Sequence, residues 1–271
     1  MTTTTLEQFF TAPVDEVVAA PEARDRVEEL LAGLESGDVR AAARGDDGRW
    51  RPHPWVKHGI LAAFRLSELE ELPAWPGGAV DKELVPPRAF HLHDGVRVVP
   101  GGTSVRRGAG LMPGTVVMPP SYVNVGAYVG PGSMVDSHVL VGSCAQVGSG
   151  VHLSAGVQLG GVLEPVGAAP VVVEDDAFVG AQAGLFEGVV VRSGAVLAPG
   201  TVLTSSTVLY DLVNEGEVRG EVPEGAVVVP GTRPARGDYA ARMGLALYAP
   251  CIVKYRDAGT DAATTLEEAL R

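Results

Sequence analysis

Aromatic residues make up only 6% of this 271-residue chain, and there are two cysteines, three tryptophans and no uninterrupted apolar run of membrane-spanning length. Each scarcity excludes something. A helical bundle of this size would be expected to carry more large side chains, whereas 35 glycines and 20 prolines point to a turn-rich β architecture with a small-residue interior. Cys144 and Cys251 cannot build a disulfide framework and have no zinc-finger spacing, so both are expected to be buried, reduced thiols. Positive charge is also short. The formal charge of −12 and pI near 4.9 argue against nucleic acid as a partner, because a phosphate backbone needs a basic face. The opening MTTTTLEQFF lacks the basic start and apolar core of a signal peptide, so the expected location is cytoplasmic, with no membrane partner.

What the sequence does have is a period. An aliphatic residue recurs at every sixth position through Val99, Val105, Leu111, Val117, Val123, Val129, Val135, Val141, Val147, Leu153 and Leu159. The phase resumes at Val173, Val179, Leu185, Val191, Leu197, Leu203 and Leu209, with a last pair at Val222 and Val228. Four residues after each aliphatic there is usually a small or β-branched residue, as at Ala109, Ala127, Ala145, Ala183 and Ala195. Both positions are expected to face inward in a triangular coil of three six-residue units, about 18 residues per turn. Glycine and proline in segments such as 129–134 and 197–202 supply the corner dihedrals. The fold class is therefore a hexapeptide-repeat parallel β-helix. Its left hand follows from the known fold of such repeats, since the period alone does not fix it.

The rest of the chain has a different texture. Residues 21–37 place Val27, Leu30, Leu31 and Leu34 on one helical face, residues 39–51 suggest a hairpin around Gly45 to Gly48, and a second helix is expected from about Trp55 to Glu70. Residues 72–90 read as a connector and 264–270 as a closing helix. The expected division is 1–98 helical, 99–232 β-helix and 233–271 extension, with loops leaving the prism at 160–172 and 210–221. A flat-sided prism has little concave surface, so a homotrimer with clefts between subunits is the expected assembly.

The stretches Val96–Pro100, Ser121–Val129, Met134–Asp136, Val141–Gly148, Val151–Ser154 and Gly160–Pro165, with Trp55-Val56-Lys57 and Ile252-Val253-Lys254, resemble the tetrahydrodipicolinate N-succinyltransferases. The resemblance implies succinyl transfer from succinyl-CoA, as co-substrate and without a metal, to the nitrogen of an amino dicarboxylate. It also implies that Arg97 and Asp136 contact the amine substrate. Arg97 offers a planar fork suited to a carboxylate, and Asp136 a carboxylate able to accept or orient N–H protons, which makes it the expected catalytic residue. The chain departs from the family at Gln182, where an arginine is usual, and at Gly184, where a second catalytic glutamate is usual; Glu187 matches a different family glutamate.

For CoA, Arg233, Arg236, Arg242 and Lys254 form a local cationic group in an acidic chain, and the backbone of Gly160 and Gly161 is a candidate cradle for the pantetheine arm. The expected reaction is N-succinyl transfer with the acceptor open between tetrahydrodipicolinate and another amine of a specialised pathway. A non-catalytic scaffold is the rival of another class. A zinc site is disfavoured, because His138 and His152 have no third histidine in the repeat, where His152 is expected to be a structural or cleft residue.

Overall fold

The computed structural model describes residues 4–73, 75 and 77–256. Its body is a three-faced parallel β-helix, of the expected left-handed class, built from strands that are mostly two residues long. The first face stacks Arg97–Val98, Val116–Val117, Met134–Val135, His152–Leu153, Phe178–Val179, Val196–Leu197 and Ala226–Val229. The second runs from Ser104–Val105 to Val202–Leu203, and the third from Gly110–Leu111 to Glu221–Val222.

In each two-residue strand of the repeat the second side chain points inward, and from Val105 to Val228 these aliphatics are all buried. Ala109, Ala127, Ala145, Ala177, Ala183 and Ala195 share that core, because the position beside a corner leaves no room for more. Burying each valine or leucine contributes about 1.5–3 kcal/mol, so the core is a stack of small, repeated gains. At the corner between the first and second faces the chain turns through the left-handed region at His138, Gly156, Gln182 and Gly200, with φ of 62°, 75°, 61° and 74°. Two of these positions carry side chains that resist such dihedrals, and the stacked coils hold them there.

The structure corrects the sequence-based register in two places. Val98, not Val99, aligns with Val117, because the Gly101-Gly102 corner makes the first turn one residue longer than the repeat. The second interruption is not an irregular loop. Val208–Asp211 and Gly216–Arg219 form an antiparallel hairpin, and Cys251–Tyr255 pairs parallel to the first of these and antiparallel to Ala226–Val229. The returning C-terminal strand thus extends the first face past the last coil and covers what would be an open sheet edge. The closing helix expected at 264–270 lies outside the described residues.

Helices α1 (Leu6–Phe10), α2 (Val14–Ala19), α3 (Ala23–Ser36) and α4 (Pro54–Leu66) bury a second cluster around Phe10, Val27, Leu30, Leu31, Val56 and Ile60. Ser67 leaves the helical conformation, so α4 is shorter than the expected span to Glu70; α1 and α2 are too short to carry a periodic signal. The hairpin appears as Ala42–Arg44 with Trp50–Pro52.

This region docks on the β-helix through apolar packing against Val125 and Cys144 and through polar contacts. The Arg40 Nε donates to Gln146 Oε1 at 2.7 Å with its guanidinium 3.3 Å from the Tyr128 ring centroid, and Trp50 Nε1 donates to Glu174 Oε1 at 2.8 Å. Burial acts to raise the Glu174 carboxyl, but hydrogen bonds from Trp50 and Arg192 outweigh it and hold the group below its ordinary value. No helix among the described residues is long and apolar enough to cross a membrane.

Candidate active site

Asp136 sits where the first face turns into the second. Its Oδ1 accepts the Ser137 N–H at 3.1 Å, and Ser121 Oγ donates to its main-chain carbonyl at 2.8 Å, which fixes the corner. His152 Nε2 lies 3.8 Å from Asp136 Oδ2, with side-chain exposures of 42% and 36%. The imidazole is placed by the coil itself: His152 pairs in register with Met134 below and Phe178 above, and the Phe178 ring centroid is 5.1 Å away at a 52° tilt.

His152, expected to be a structural or cleft residue, stands beside Asp136. Its outward side chain shares a surface with Asp136. The signal was present in the period, since one turn of about 18 residues carries Met134 to His152, two positions from Asp136 in projection.

Arg97 opens the first face in register with Val116, exposed, and its guanidinium has no hydrogen bond or ion pair within the described chain. It lines a shallow cavity with Phe90, His91 and Val96. Two strand intervals separate the Arg97 and Met134 strands, about 9–10 Å, so Arg97 and Asp136 flank one surface without touching.

Gly160 and Gly161 line a different cavity, of about 430 Å³, with Val162, Ala168, Phe186 and Glu187 at the corner between the second and third faces. Gly161 is required there by packing. A Cβ on it would lie 2.4 Å from the Ser143 nitrogen. The floor of this corner is tied by Lys57 of α4, fully buried, whose Nζ donates to the Ala168 carbonyl at 2.6 Å. Burial pushes the Lys57 ammonium down, and burial pushes the neighbouring Cys144 thiol up to about 12.

Gly184 lies on the second face in register with Gln158 and Val202. A Cβ there would meet the Phe186 ring at 2.7 Å. The space in which the family resemblance expects a carboxylate is occupied instead by a phenylalanine from the next corner. Gln182 turns the corner one layer above Gly156, and Glu187 accepts from Ser205 Oγ at 2.9 Å.

Of the cations assigned to CoA, Arg233 and Arg236 come together in a groove with Tyr210, Glu217 and Leu247. Arg219, on the hairpin that interrupts the repeat, joins them. It escaped sequence reasoning because nothing in the period says where that hairpin folds back. Lys254 does not line the groove. It lies opposite Val227 on the returning strand. Arg242 lies on the short helix α5 (Asp238–Met243), 6.0 Å from the Tyr239 ring centroid.

Within one chain the candidate residues thus occupy three surfaces: Arg97, Asp136 and His152 along the first face, Gly160 and Gly161 at the far corner of the second, and Arg219, Arg233 and Arg236 beyond the last coil.

Residues 3–66 match the family described as tetrahydrodipicolinate N-succinyltransferase N-terminal, and residues 170–205 match the hexapeptide repeat of succinyl-transferase. Among relatives named 2,3,4,5-tetrahydropyridine-2,6-dicarboxylate N-succinyltransferase, the protein of Nitrobacter winogradskyi is 43% identical over 92% of this chain and 90% of its own. That of Methylobacterium nodulans is 45% identical over 92% and 90%, and that of Afipia carboxidovorans 42% over 99% and 97%. A solved structure of a putative N-succinyltransferase from Campylobacter jejuni is 16% identical over 83% of this chain and 62% of its own, at a TM-score of 0.42, too distant to bear on fold or function. With relatives this similar along nearly its whole length, the chain belongs to the tetrahydrodipicolinate N-succinyltransferase family of acyltransferases.

Proposed function

We propose that this protein transfers a succinyl group from succinyl-CoA to the nitrogen of tetrahydrodipicolinate, in the branch of lysine synthesis that passes through diaminopimelate. The observation that carries this reading is identity of 42–45% to proteins named for that reaction, extending over at least 92% of the chain. Arg97 supports it, being an unpaired, exposed fork beside the Asp136 surface that suits a substrate carboxylate. The Arg219, Arg233 and Arg236 group supports a polyanionic donor in a chain whose net charge is −12.

The three separate surfaces favour a site completed between copies, and we read the assembly as a cytoplasmic homotrimer in which the first face of one chain meets a neighbour. The same reading divides the chain into a helical unit at 1–98, the β-helix at 99–232 and an extension at 233–271.

Release of free CoA decides the reaction. Turnover of about 1–10³ s⁻¹ with succinyl-CoA and tetrahydrodipicolinate is expected. Negligible turnover there, with another amine succinylated well, would move the protein to a different acceptor, the outcome that the loss of a carboxylate at Gly184 would explain. Arg97→Ala is expected to lower kcat/KM for the acceptor about 10–100-fold, the value of a hydrogen-bonded charge pair, while KM for succinyl-CoA stays near the parent's. An unchanged acceptor KM would remove Arg97 from the binding surface.

A further inference from the structure

Acyl transfer to an amine leaves one proton to be removed, and its acceptor must stand beside the attacking nitrogen. The outward ladder of the first face runs Arg97, Val116, Met134, His152, Phe178, Val196. Among these side chains only His152 has a ring nitrogen with a lone pair that can accept a proton. We propose that the His152 imidazole is the proton acceptor of the reaction and that Asp136 is its positioning residue, an assignment that rests on the succinyl-transfer reading above.

Four observations carry it. Nε2 lies 3.8 Å from Asp136 Oδ2, so closing that gap sets a carboxylate acceptor against a proton on Nε2. Nδ1 has no hydrogen-bond partner among the described residues, which leaves its lone pair available to a substrate. The ring is held between Met134 and Phe178 by strand register. Asp136 itself has one oxygen committed to the Ser137 N–H, as a group that orients does. The 3.8 Å separation is an ion-pair distance, and closing it by about 1 Å gives a charge-assisted hydrogen bond; such bonds are often long before substrate arrives.

The proton then follows a closed path. Water first adds across the ring C=N of tetrahydrodipicolinate, its proton going to nitrogen and its hydroxyl to carbon, and the lone pair of the amine so formed attacks the thioester carbonyl carbon to make the N–C bond. The excess proton on nitrogen passes to His152 Nδ1. The C–S bond breaks, and His152 returns the proton to the departing CoA sulfur. Asp136 keeps its charge throughout and stabilises the imidazolium while it lasts. No second carboxylate is needed, which fits a second face where Gly184 is covered by the Phe186 ring.

The test uses the full-length protein with succinyl-CoA and the acceptor on which the parent is active. His152→Ala is expected to lower kcat about 10²–10⁴-fold with KM for succinyl-CoA little changed, and added imidazole is expected to restore kcat in a saturable, dose-dependent way. A merely structural histidine gives no such rescue. Should the alanine variant not fold, His152→Asn, which keeps most of the ring's volume, must show the same loss of kcat at a parental melting temperature. A folded variant that keeps more than half the parental kcat, or a loss confined to KM without imidazole response, overturns the assignment. If the parent itself transfers no acyl group to any amine, it is the functional reading that fails.

Discussion

Val135→Asp is expected to abolish the folded prism, whereas Val202→Asp, the same exchange on an outward position, is expected to leave it standing. Val135 is completely buried and stacked between Val117 and Leu153. The aspartate loses about 1.5–3 kcal/mol of apolar burial and adds several kcal/mol for an unpaired charge in a dry interior. That sum approaches the roughly 5–15 kcal/mol by which a typical domain is stable. Neighbouring coils cannot compensate, because each contacts only the turns above and below. Val202 is 42% exposed and its side chain leaves the opposite side of the same two-residue unit that buries Leu203, so its carboxylate stays in water. Far-ultraviolet circular dichroism and thermal melting check the pair. A soluble Val135→Asp protein melting within a few degrees of the parent would mean that the inward assignment is wrong.

That contrast shows why the fold was legible. A solenoid writes its interior into the sequence at a fixed interval, so inward and outward positions can be assigned from Val105 to Leu203 without knowing any long-range contact. Legibility ended wherever the interval did. Val98 replaced Val99 because an additional glycine lengthens the first corner, and the segment after Leu209 became a hairpin joined by a C-terminal strand, a pairing such as Tyr210 with Cys251 that no local pattern announces. Short helices α1 and α2 gave no periodic signal, although Phe10 is among the most deeply buried side chains.

The site was legible in a similar way. Asp136, on the repeat, can be placed from sequence, and the stacking that sets His152 beside it is itself a consequence of the period, whereas Arg97 takes the outward position of its strand only with the one-residue shift that brings Val98 into register. Arg219 and the Phe186 ring over Gly184 depend on where a hairpin folds and how a corner side chain turns, and neither has a periodic signature. Gly184 illustrates the difference. The sequence shows a missing carboxylate, and only packing shows that the space it would need is filled.

Asp136→Asn is expected to lower kcat about 10²–10⁴-fold while leaving the fold intact. The asparagine oxygen can still accept the Ser137 N–H, so the corner keeps its hydrogen bond and the melting temperature should stay within a few degrees of the parent. What changes is the atom that faces His152. An amide NH₂ in place of Oδ2 is a donor, and it cannot accept from Nε2–H at the position where the carboxylate now stands 3.8 Å away. The imidazole relieves the conflict by carrying its proton on Nδ1, which turns the lone pair toward the new amide and leaves a donor facing the amine. Stabilisation of the imidazolium is lost at the same time. Asp136→Glu, which keeps the charge but displaces it by one methylene, is expected to recover part of the rate, because the loss stems from charge and acceptor character. Steady-state kinetics with the donor saturating, run beside thermal melts of the three proteins, separate these effects. An Asp136→Asn protein that melts normally and keeps the parental kcat would show that the carboxylate has no part in the proton's path.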